Sequence, residues 1–268
     1  MLNTDIFLKI GDQHKICEDY IVQGDVPVPF IILSDGCSTS ENTEMGARIL
    51  CHLAKQFLMY RGIDFNAISY HKMGNWIIHN AELVARQLGL KISCLTATLI
   101  ISYVLDDVVY VYMYGDGAVA VQRNNDEINI HSVSFTNNAP YYLSYLIDEY
   151  RDQTYYEAKN SKILCRTYGD GSKISDEIAY DAKVVHQYGL NRCKNIFICS
   201  DGIESFIKKD PRNREILNPQ EILPDLMAFK NLKGEFLKRR MKRALVELEN
   251  QGIGHFDDLS IGAYTRLK

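Results

Sequence analysis

Acidic residues at the ends of hydrophobic segments are the feature of this sequence best suited to chemistry. Asp35 follows the apolar run Phe30–Ser34, and Asp201 follows a similar run over residues 196–200. An ionised carboxylate at the end of a buried strand is costly to desolvate unless a positive charge lies beside it. Because acidic positions of this kind recur far apart in the sequence, we expect them to converge on a cation. The other members of this set are Glu18, Asp19, Asp116, Asp257 and Asp258.

Carboxylates arranged in this way are suited to hard divalent cations. Magnesium and manganese take oxygen ligands and keep several waters, so they need only a few protein carboxylates. Two such ions about 3.5–4 Å apart can share a bridging carboxylate and activate a water for attack on a phosphate ester. Asp35 suits the bridging position, since Gly36 after it lets the backbone approach an ion closely. Taken singly, an Asp-Gly pair after a strand is most often an ordinary turn.

The composition limits the classes of partner. A chain of 268 residues, 46% of them hydrophobic, can form one large domain or two small ones. A net charge of -4 without a long basic run argues against nucleic acid. The N-terminus lacks a signal-peptide pattern, and no apolar run approaches the ~18–20 residues of a membrane helix. The seven cysteines contain no CxxC pair, which predicts reduced thiols in a cytoplasmic protein without a zinc site.

Hydrophobic periodicity predicts a mixed arrangement of strands and helices. Strands are predicted over residues 5–10, 20–23, 28–34, 96–105, 108–114, 118–122, 128–133, 161–167, 183–187, 195–200 and 259–265, and helices over 43–60, 65–88 and 219–249. Residues 135–160 give no clear assignment. Because strands and helices do not alternate strictly, an α+β domain with mostly antiparallel sheets is favoured over a doubly wound nucleotide-binding fold.

The order and flanking sequence of the acidic positions resemble those of a known family, the metal-dependent protein phosphatases of the protein phosphatase 2C type, especially its compact bacterial members. The similar blocks are GDQHKICED at 11–19, LSDGCSTS at 33–40, TATL at 96–99, YGDG at 114–117, CSDGI at 199–203 and DDLSI at 257–261. Each block alone is weak, but together they keep the family's order. The resemblance implies one catalytic domain over residues 1–268. It implies an α+β fold, a four-layer αββα sandwich of two mostly antiparallel β-sheets flanked by helices.

The resemblance also implies roles for individual residues. Asp35 would bridge two Mn²⁺ or Mg²⁺ ions, and Gly36 would add a carbonyl ligand. Asp201 and Asp257 would complete the second site. The implied metal-binding set is Glu18, Asp19, Asp35, Gly36, Asp116, Asp201 and Asp257, with Asp35 also named as catalytic.

Two departures from the family pattern affect these roles. Asp116 lies where many relatives bind a third, looser metal, but the Asp that usually accompanies it is replaced here by Ser205, preceded by Glu204. This weakens the expectation of a third ion. His14 stands where some relatives carry a phosphate-binding Arg. A protonated His14 could hold phosphate or act as a general acid, and we include it as a catalytic candidate; it could equally orient a loop.

The implied activity is hydrolysis of phosphoserine or phosphothreonine in proteins by a water activated by two metal ions. The absence of a Cys-x5-Arg loop argues against a thiol phosphatase. The alternatives are a non-catalytic phosphatase-like domain that binds a phosphoprotein or regulatory partner, and a hydrolase for a phosphorylated metabolite. Relatives often act beside a Ser/Thr kinase, so such a kinase is a possible partner. The tyrosine-rich residues 141–156 could form a substrate flap, although packing beneath a loop is favoured.

Overall fold

Antiparallel β-strands are the most numerous elements in the part of the chain that the computed structural model describes, which is residues 2–61, 68–157, 161–169, 172–209 and 214–267. Their pairing is antiparallel throughout the named strands. In chain order, the strands are β1 (Leu2–Lys9), β2 (Tyr20–Gly24), β3 (Phe30–Ser34), β4 (Leu99–Leu105), β5 (Val108–Tyr114), β6 (Gly117–Arg123), β7 (Ile128–Phe135), β8 (Lys162–Gly169), β9 (Ser172–Ala179), β10 (Val184–Gly189), β11 (Cys193–Cys199), β12 (Phe206–Lys209), β13 (Arg214–Ile216), β14 (Ile253–His255) and β15 (Leu259–Arg266).

Two large sheets and one small sheet are built from these strands. The larger sheet has the order β1-β15-β11-β6-β7-β8-β9, and the second has the order β10-β5-β4-β3-β2. The small sheet has the order β13-β12-β14. β3 and β11, which precede the two Asp-Gly pairs, therefore lie inside different large sheets. Stacking the sheets brings the two pairs to one end of the sandwich.

Helices cover the outer faces of both large sheets. In chain order the α-helices are α1 (Thr43–Arg61), α2 (Tyr70–Gln87), α3 (Glu149–Glu157), α4 (Pro219–Leu226) and α5 (Phe236–Asn250). α3 is not part of these outer layers, since its Tyr155 packs with the core between the sheets. α1 and α2 pack on the five-stranded sheet, and α4 and α5 pack on the seven-stranded sheet. A third apolar core lies between the sheets. Three cores between four layers confirm the predicted αββα sandwich.

The strand β3 shows why its sequence is apolar at every position. Side chains of a strand alternate between its two faces. Phe30 and Ile32 pack against the helices, while Ile31 and Leu33 pack between the sheets. Both faces are thus covered, and each of these side chains has 0% relative exposure. An uninterrupted apolar run is what such a strand requires, and it holds the following Asp35 at a fixed position.

The helical stretch predicted over residues 219–249 is divided into two helices in the structure. α4 ends at Leu226 and α5 begins at Phe236. Gly234, with a φ of +59°, adopts the left-handed conformation that glycine tolerates, and it lies just before α5. The connecting segment is also held elsewhere, because Asn3 Nδ2 donates to the carbonyl of Leu232 at 2.6 Å. The hydrophobic periodicity continued across this break and concealed it.

Other differences concern short or irregular segments. The predicted helix at 65–88 is α2, which begins at Tyr70; residues 62–67 lie outside the described ranges. β9, β12, β13, β14 and α3 were not predicted. β9 is largely exposed and alternates weakly in polarity, and the strands of the small sheet have only three or four residues. None of the helices in the described ranges has the length and apolarity needed to cross a membrane.

Candidate metal centre

Asp35 lies at the end of β3, where the backbone is held from both sides. Its N–H donates to Thr98 Oγ1 at 3.0 Å, and its carbonyl accepts from the Thr98 N–H at 2.8 Å. The next residue, Gly36, forms an isolated antiparallel bridge with Ala97. A Cβ on Gly36 would lie 2.8 Å from Thr43 Cβ, so a glycine is required for the chain to pass the start of α1. The predicted TATL block therefore acts as a support for the Asp-Gly turn.

The Asp35 carboxyl lies close to those of Asp19 and Asp201, and the charges of both act on it. Asp19 is buried, and its Oδ2 accepts from Ser200 Oγ at 2.9 Å. Burial, followed by the charges of Asp19 and Asp201, raises the pKa of Asp35 well above its ordinary value. Burial also raises the pKa values of Asp19 and Asp201. The loop before β2 and the ends of β3 and β11 thus meet at one point.

Oxygens in this group of carboxyls remain without partners. Asp19 Oδ1 and Asp201 Oδ1 are buried and accept no hydrogen bond from the described residues. Buried polar atoms are normally paired, and neighbouring carboxylates cannot all be ionised without a counter-charge. Within the described residues, no three His, Cys, Asp or Glu side chains already form a group that could hold a metal ion. A divalent cation would supply the missing positive charge and satisfy the free oxygens.

Asp116 joins this cluster from the turn between β5 and β6. It is 7% exposed and is flanked by Gly115 and Gly117, whose φ values are +94° and +137°. Burial, followed by the charge of Asp201, raises the pKa of Asp116 well above its ordinary value. The two glycines allow the sharp turn that directs this carboxyl to the same end of the sandwich as Asp201.

Asp257 and Asp258 have different surroundings although they are adjacent. Asp258 is 1% exposed, and its two oxygens accept from the backbone N–H groups of Gly11 at 2.8 Å and Glu18 at 2.6 Å. The Asp257 side chain is 31% exposed, and its Oδ1 accepts from the Asp258 N–H at 2.9 Å. Asp258 therefore anchors the loop that carries Glu18 and Asp19, and Asp257 is the member of the pair that is open to a ligand.

His14 lies among three carboxylates. Its Nε2 is 3.3 Å from Asp257 Oδ1, and its Nδ1 is 3.2 Å from Asp258 Oδ2 and 3.9 Å from Glu18 Oε2. Burial lowers the pKa of His14, but Asp258, Asp257 and Glu18 together raise it above its ordinary value. A protonated imidazole here neutralises the acids that surround it. Both ring nitrogens face protein carboxylates, which supports the loop-orienting interpretation; the catalytic role of His14 stays a prediction.

Glu18 and Asp19, though adjacent, point to different partners. Glu18 Oε1 accepts from Thr43 Oγ1 at 3.0 Å, which connects the loop to the start of α1. Asp19 faces Ser200 and Asp35. The sequence-predicted acids are thus brought to one end of the sandwich, with Asp35 close to Asp19 and Asp201, and Glu18 at the side near His14.

Glu204 is a member of the cluster that the sequence interpretation did not include. Its Oε1 is buried without a hydrogen-bond partner among the described residues, and its charge contributes to the raised pKa values of Asp116 and Asp201. Ser205, next to it, donates to the Gly202 carbonyl at 2.8 Å and accepts from the Asp257 N–H at 3.3 Å. The signal in the sequence that could have identified Glu204 was an acidic residue directly before Ser205.

Tyr142 borders the site from the irregular segment before α3. Burial, followed by the charge of Asp116 and the contact with Cys37, raises the pKa of its hydroxyl. The neighbouring rings of Tyr141, Tyr145 and Tyr155 pack edge to face or tilted, with centroid separations of 5.2–5.9 Å. The tyrosine-rich segment therefore packs as a cluster and also forms one wall beside Cys37 of the Asp35 loop.

Comparisons with known proteins agree with this arrangement. The family model described as Protein phosphatase 2C matches residues 11–245. Among solved structures, the serine/threonine phosphatase Stp1 from Staphylococcus aureus superposes with a TM-score of 0.57 at 14% identity, covering 100% of this chain and 96% of that one. The serine/threonine phosphatase of S. agalactiae gives 0.56 at 15% identity, covering 100% of both chains. The catalytic domain of the serine threonine protein phosphatase PstP, in complex with 2 manganese ions, gives 0.50 at 15% identity, covering 100% of this chain and 99% of that one.

At these identities the structural likeness shows the fold, and the family model carries the assignment. No curated protein sequence matches the chain significantly. The matched segment spans most of the chain and contains the Asp35 and Asp201 turns. The chain belongs to the protein phosphatase 2C family of metal-dependent serine/threonine protein phosphatases.

Proposed function

We propose that this protein hydrolyses phosphoserine and phosphothreonine in proteins as a single catalytic domain, with two Mn²⁺ or Mg²⁺ ions at the candidate metal centre. The observation that carries the proposal is the proximity of the buried Asp35 carboxyl to Asp19 and Asp201, each of which keeps a buried oxygen without a partner. A carboxyl between two others is suited to bridging two cations. Family membership and the manganese-bound PstP structure support the choice of metal.

The surroundings of each acidic residue suggest which of the two ions it would hold. Asp35 would bridge them, with Asp19 on one side and Asp201 and Asp257 on the other. Gly36 would add a carbonyl, and Glu18 would hold metal-bound water. Ions in this place would supply positive charge for the phosphate oxygens and lower the pKa of a bound water.

The chain's own residues position the reacting groups. Asp258 holds the loop that carries Glu18 and Asp19 by accepting from two of its backbone N–H groups. His14 lies among three carboxylates and, when protonated, offsets their charge. Thr98 fixes the backbone of Asp35. Tyr142 closes one wall beside the Asp35 loop. These contacts keep the acids at fixed separations before substrate arrives, which is the part of the catalytic effect that the protein supplies.

A third ion is a conditional part of the proposal. The Asp116 carboxyl and Glu204 Oε1 are buried, Glu204 lies near both Asp116 and Asp201, and it would compensate for Ser205. His14 as a phosphate ligand or general acid, a Ser/Thr kinase partner and a cytoplasmic location stay predictions. No observation favours the non-catalytic or metabolite alternatives.

The test is hydrolysis of a phosphothreonine peptide and of p-nitrophenyl phosphate with added MnCl₂, with EDTA and a phosphotyrosine peptide as controls. We expect Mn²⁺-dependent release of phosphate from the phosphothreonine peptide. Calorimetric binding of Mn²⁺ without turnover would favour the non-catalytic alternative. Turnover confined to phosphorylated metabolites would favour the alternative of a metabolite hydrolase.

A further inference from the structure

A cavity with aromatic walls lies behind the candidate metal centre, with a volume of about 330 Å³. It is enclosed by α2, the ends of β5 and β10 and the segment before α3, and its aromatic lining residues are Tyr70, Tyr114, Phe135, Tyr141 and Tyr180. Tyr70 and Tyr114 stack with ring centroids 4.3 Å apart, and Tyr141 and Tyr180 lie 5.2 Å apart. Exposed His71 and Asp181 mark the side of the cavity that faces solvent. The volume is at the small end of the range for ligand sites.

The charged groups that line this cavity include two carboxylates, those of Asp152 and Asp181. The hydroxyls of Tyr70 and Tyr114 already donate to backbone carbonyls, those of Met113 and Tyr70, at 2.7 Å each. The remaining acceptors include the carboxylates of Asp152, which accepts from Tyr141 Oη at 2.6 Å, and Asp181. No Lys or Arg is among the described residues that line the cavity.

The charges and rings of the cavity together favour a cation. Arg151, which precedes Asp152, does not line the cavity: its Nε lies 3.6 Å from Asp148 Oδ2. A cation above aromatic faces and near carboxylates is attracted by both, and most strongly where water is excluded. A phosphate or carboxylate group would be repelled by Asp152 and Asp181. A guanidinium or ammonium group on an apolar stem matches the volume, the walls and the charge.

The cavity is separated from the metal centre by one segment of chain. Tyr141 and Leu143 line the cavity, whereas Tyr142 between them lies near Cys37 of the Asp35 loop. On the other side, Gly115 lines the cavity and directly precedes Asp116. A group bound in the cavity therefore lies beside the two chain segments that border the metal centre.

We propose that this cavity binds a basic side chain, Arg or Lys, of the phosphoprotein substrate close in sequence to the phosphorylated residue. The inference rests on the proposed phosphatase function and adds a preference to it. A free alkyl amine or guanidine offers the same chemistry from another source, so the experiment has to separate the two.

The experiment uses the full chain and phosphothreonine peptides in which a single Arg is moved through an alanine background, with the all-alanine peptide as reference. For the wild type we expect a higher kcat/KM for peptides with Arg at one or two positions, carried mainly by KM. In the double variant Asp152→Asn/Asp181→Asn, the ratio of kcat/KM between the Arg and alanine peptides should fall about tenfold. Asp176→Asn, an exposed acid on β9, is the matched control and should keep the wild-type ratio.

Binding measured by calorimetry with unphosphorylated peptides makes the test independent of turnover. Weaker binding of the Arg peptide to the Asp152→Asn/Asp181→Asn variant supports the proposal even if p-nitrophenyl phosphate is not hydrolysed, in which case the proposed function fails by itself. The single variant Asp181→Asn, on an exposed residue, serves if the double variant does not fold. Equal treatment of Arg and alanine peptides by the wild type overturns the proposal. Binding of free n-butylguanidinium without any preference among peptides overturns it as well.

Discussion

The Asp258 carboxylate accepts a hydrogen bond from the Glu18 backbone N–H at 2.6 Å and so joins two segments that are 240 residues apart. Its other oxygen accepts from the Gly11 N–H at 2.8 Å. In Asp258→Asn the amide keeps one acceptor oxygen and turns an NH₂ group toward the other N–H. We expect the free energy of unfolding to fall by about 1–3 kcal/mol, because a buried donor loses its partner.

Urea denaturation measures this loss, and Mn²⁺ titration should show weaker binding because the loop carries Glu18 and Asp19. Asp25→Asn, in an exposed turn, is the control. Unchanged urea midpoints and unchanged Mn²⁺ affinity would show that Asp258 does not anchor the loop.

Asp35→Asn tests the bridging residue of the metal centre. The amide cannot serve as an anionic ligand to two cations, so Mn²⁺-dependent turnover should be abolished. Without metal, the variant should be at least as stable as the wild type, since one member of a crowded group of acids has lost its charge. Phosphatase assays and thermal denaturation in EDTA measure the two effects. Retention of Mn²⁺-dependent activity would contradict the bridging role.

The sequence predicted those parts of the site that depend on buried strands. Asp35 and Asp201 follow strands whose apolar runs are unbroken because both faces are covered, so the end of each run locates the acid. The different roles of Asp257 and Asp258 could not be predicted in this way. Their roles depend on which carboxylate meets the backbone N–H groups of Gly11 and Glu18, which is a property of turn packing.

The same limit applies to Glu204 and Ser205. The pattern of relatives directs attention to position 205, but the short 3-10 turn over Asp201–Glu204 places the Glu204 carboxyl near Asp116. Sequence spacing alone does not tell whether the side chain of residue 204 or that of residue 205 faces the acids. The 3-10 turn decides this in favour of Glu204. The tight fit of Gly202, where a Cβ would lie 1.8 Å from the Asp258 carbonyl oxygen, fixes that turn.

Glu204→Gln tests whether this side chain serves metal binding. Its unpartnered Oε1 is buried close to the charges of Asp116 and Asp201. We expect the Mn²⁺ concentration for half-maximal activity to rise about tenfold, as for the loss of a group that supports a metal site. Glu249→Gln, an exposed residue of α5, is the control.

Ser205→Ala, unlike Glu204→Gln, should lower the stability of the protein and leave its Mn²⁺ requirement unchanged. Ser205 donates to Gly202 and accepts from Asp257, so its loss should reduce the free energy of unfolding by about 1–2 kcal/mol. Urea denaturation measures this effect, and a Mn²⁺ titration of activity should give the wild-type half-maximal concentration. If Ser205→Ala alters the Mn²⁺ requirement and Glu204→Gln does not, the roles assigned to the two residues are reversed.

His186 is expected to make the stability of the protein depend on pH. Burial, followed by the charge of His131, lowers the pKa of His186 from 6.5 to about 4. Its Nε2 has no hydrogen-bond partner among the described residues, and its ring stacks with Tyr188 at 6.1 Å between centroids. The folded protein keeps this imidazole neutral, whereas the unfolded chain takes up a proton below about pH 6.5. Stability is therefore complete above pH 6.5 and declines as the pH falls toward 4.

Replacement of His186 by Phe removes this proton linkage while keeping an aromatic ring against Tyr188. Between pH 7 and pH 5 the wild type should lose about 2 kcal/mol more free energy of unfolding than His186→Phe does, at about 1.4 kcal/mol per pKa unit. Urea denaturation in EDTA at both pH values measures this difference and cancels the common contribution of the acidic cluster. His79→Gln, on the exposed face of α2, should keep the wild-type pH dependence. Parallel loss of stability in wild type and His186→Phe would mean that the imidazole is not held neutral by the fold, and that the acid sensitivity arises at other groups.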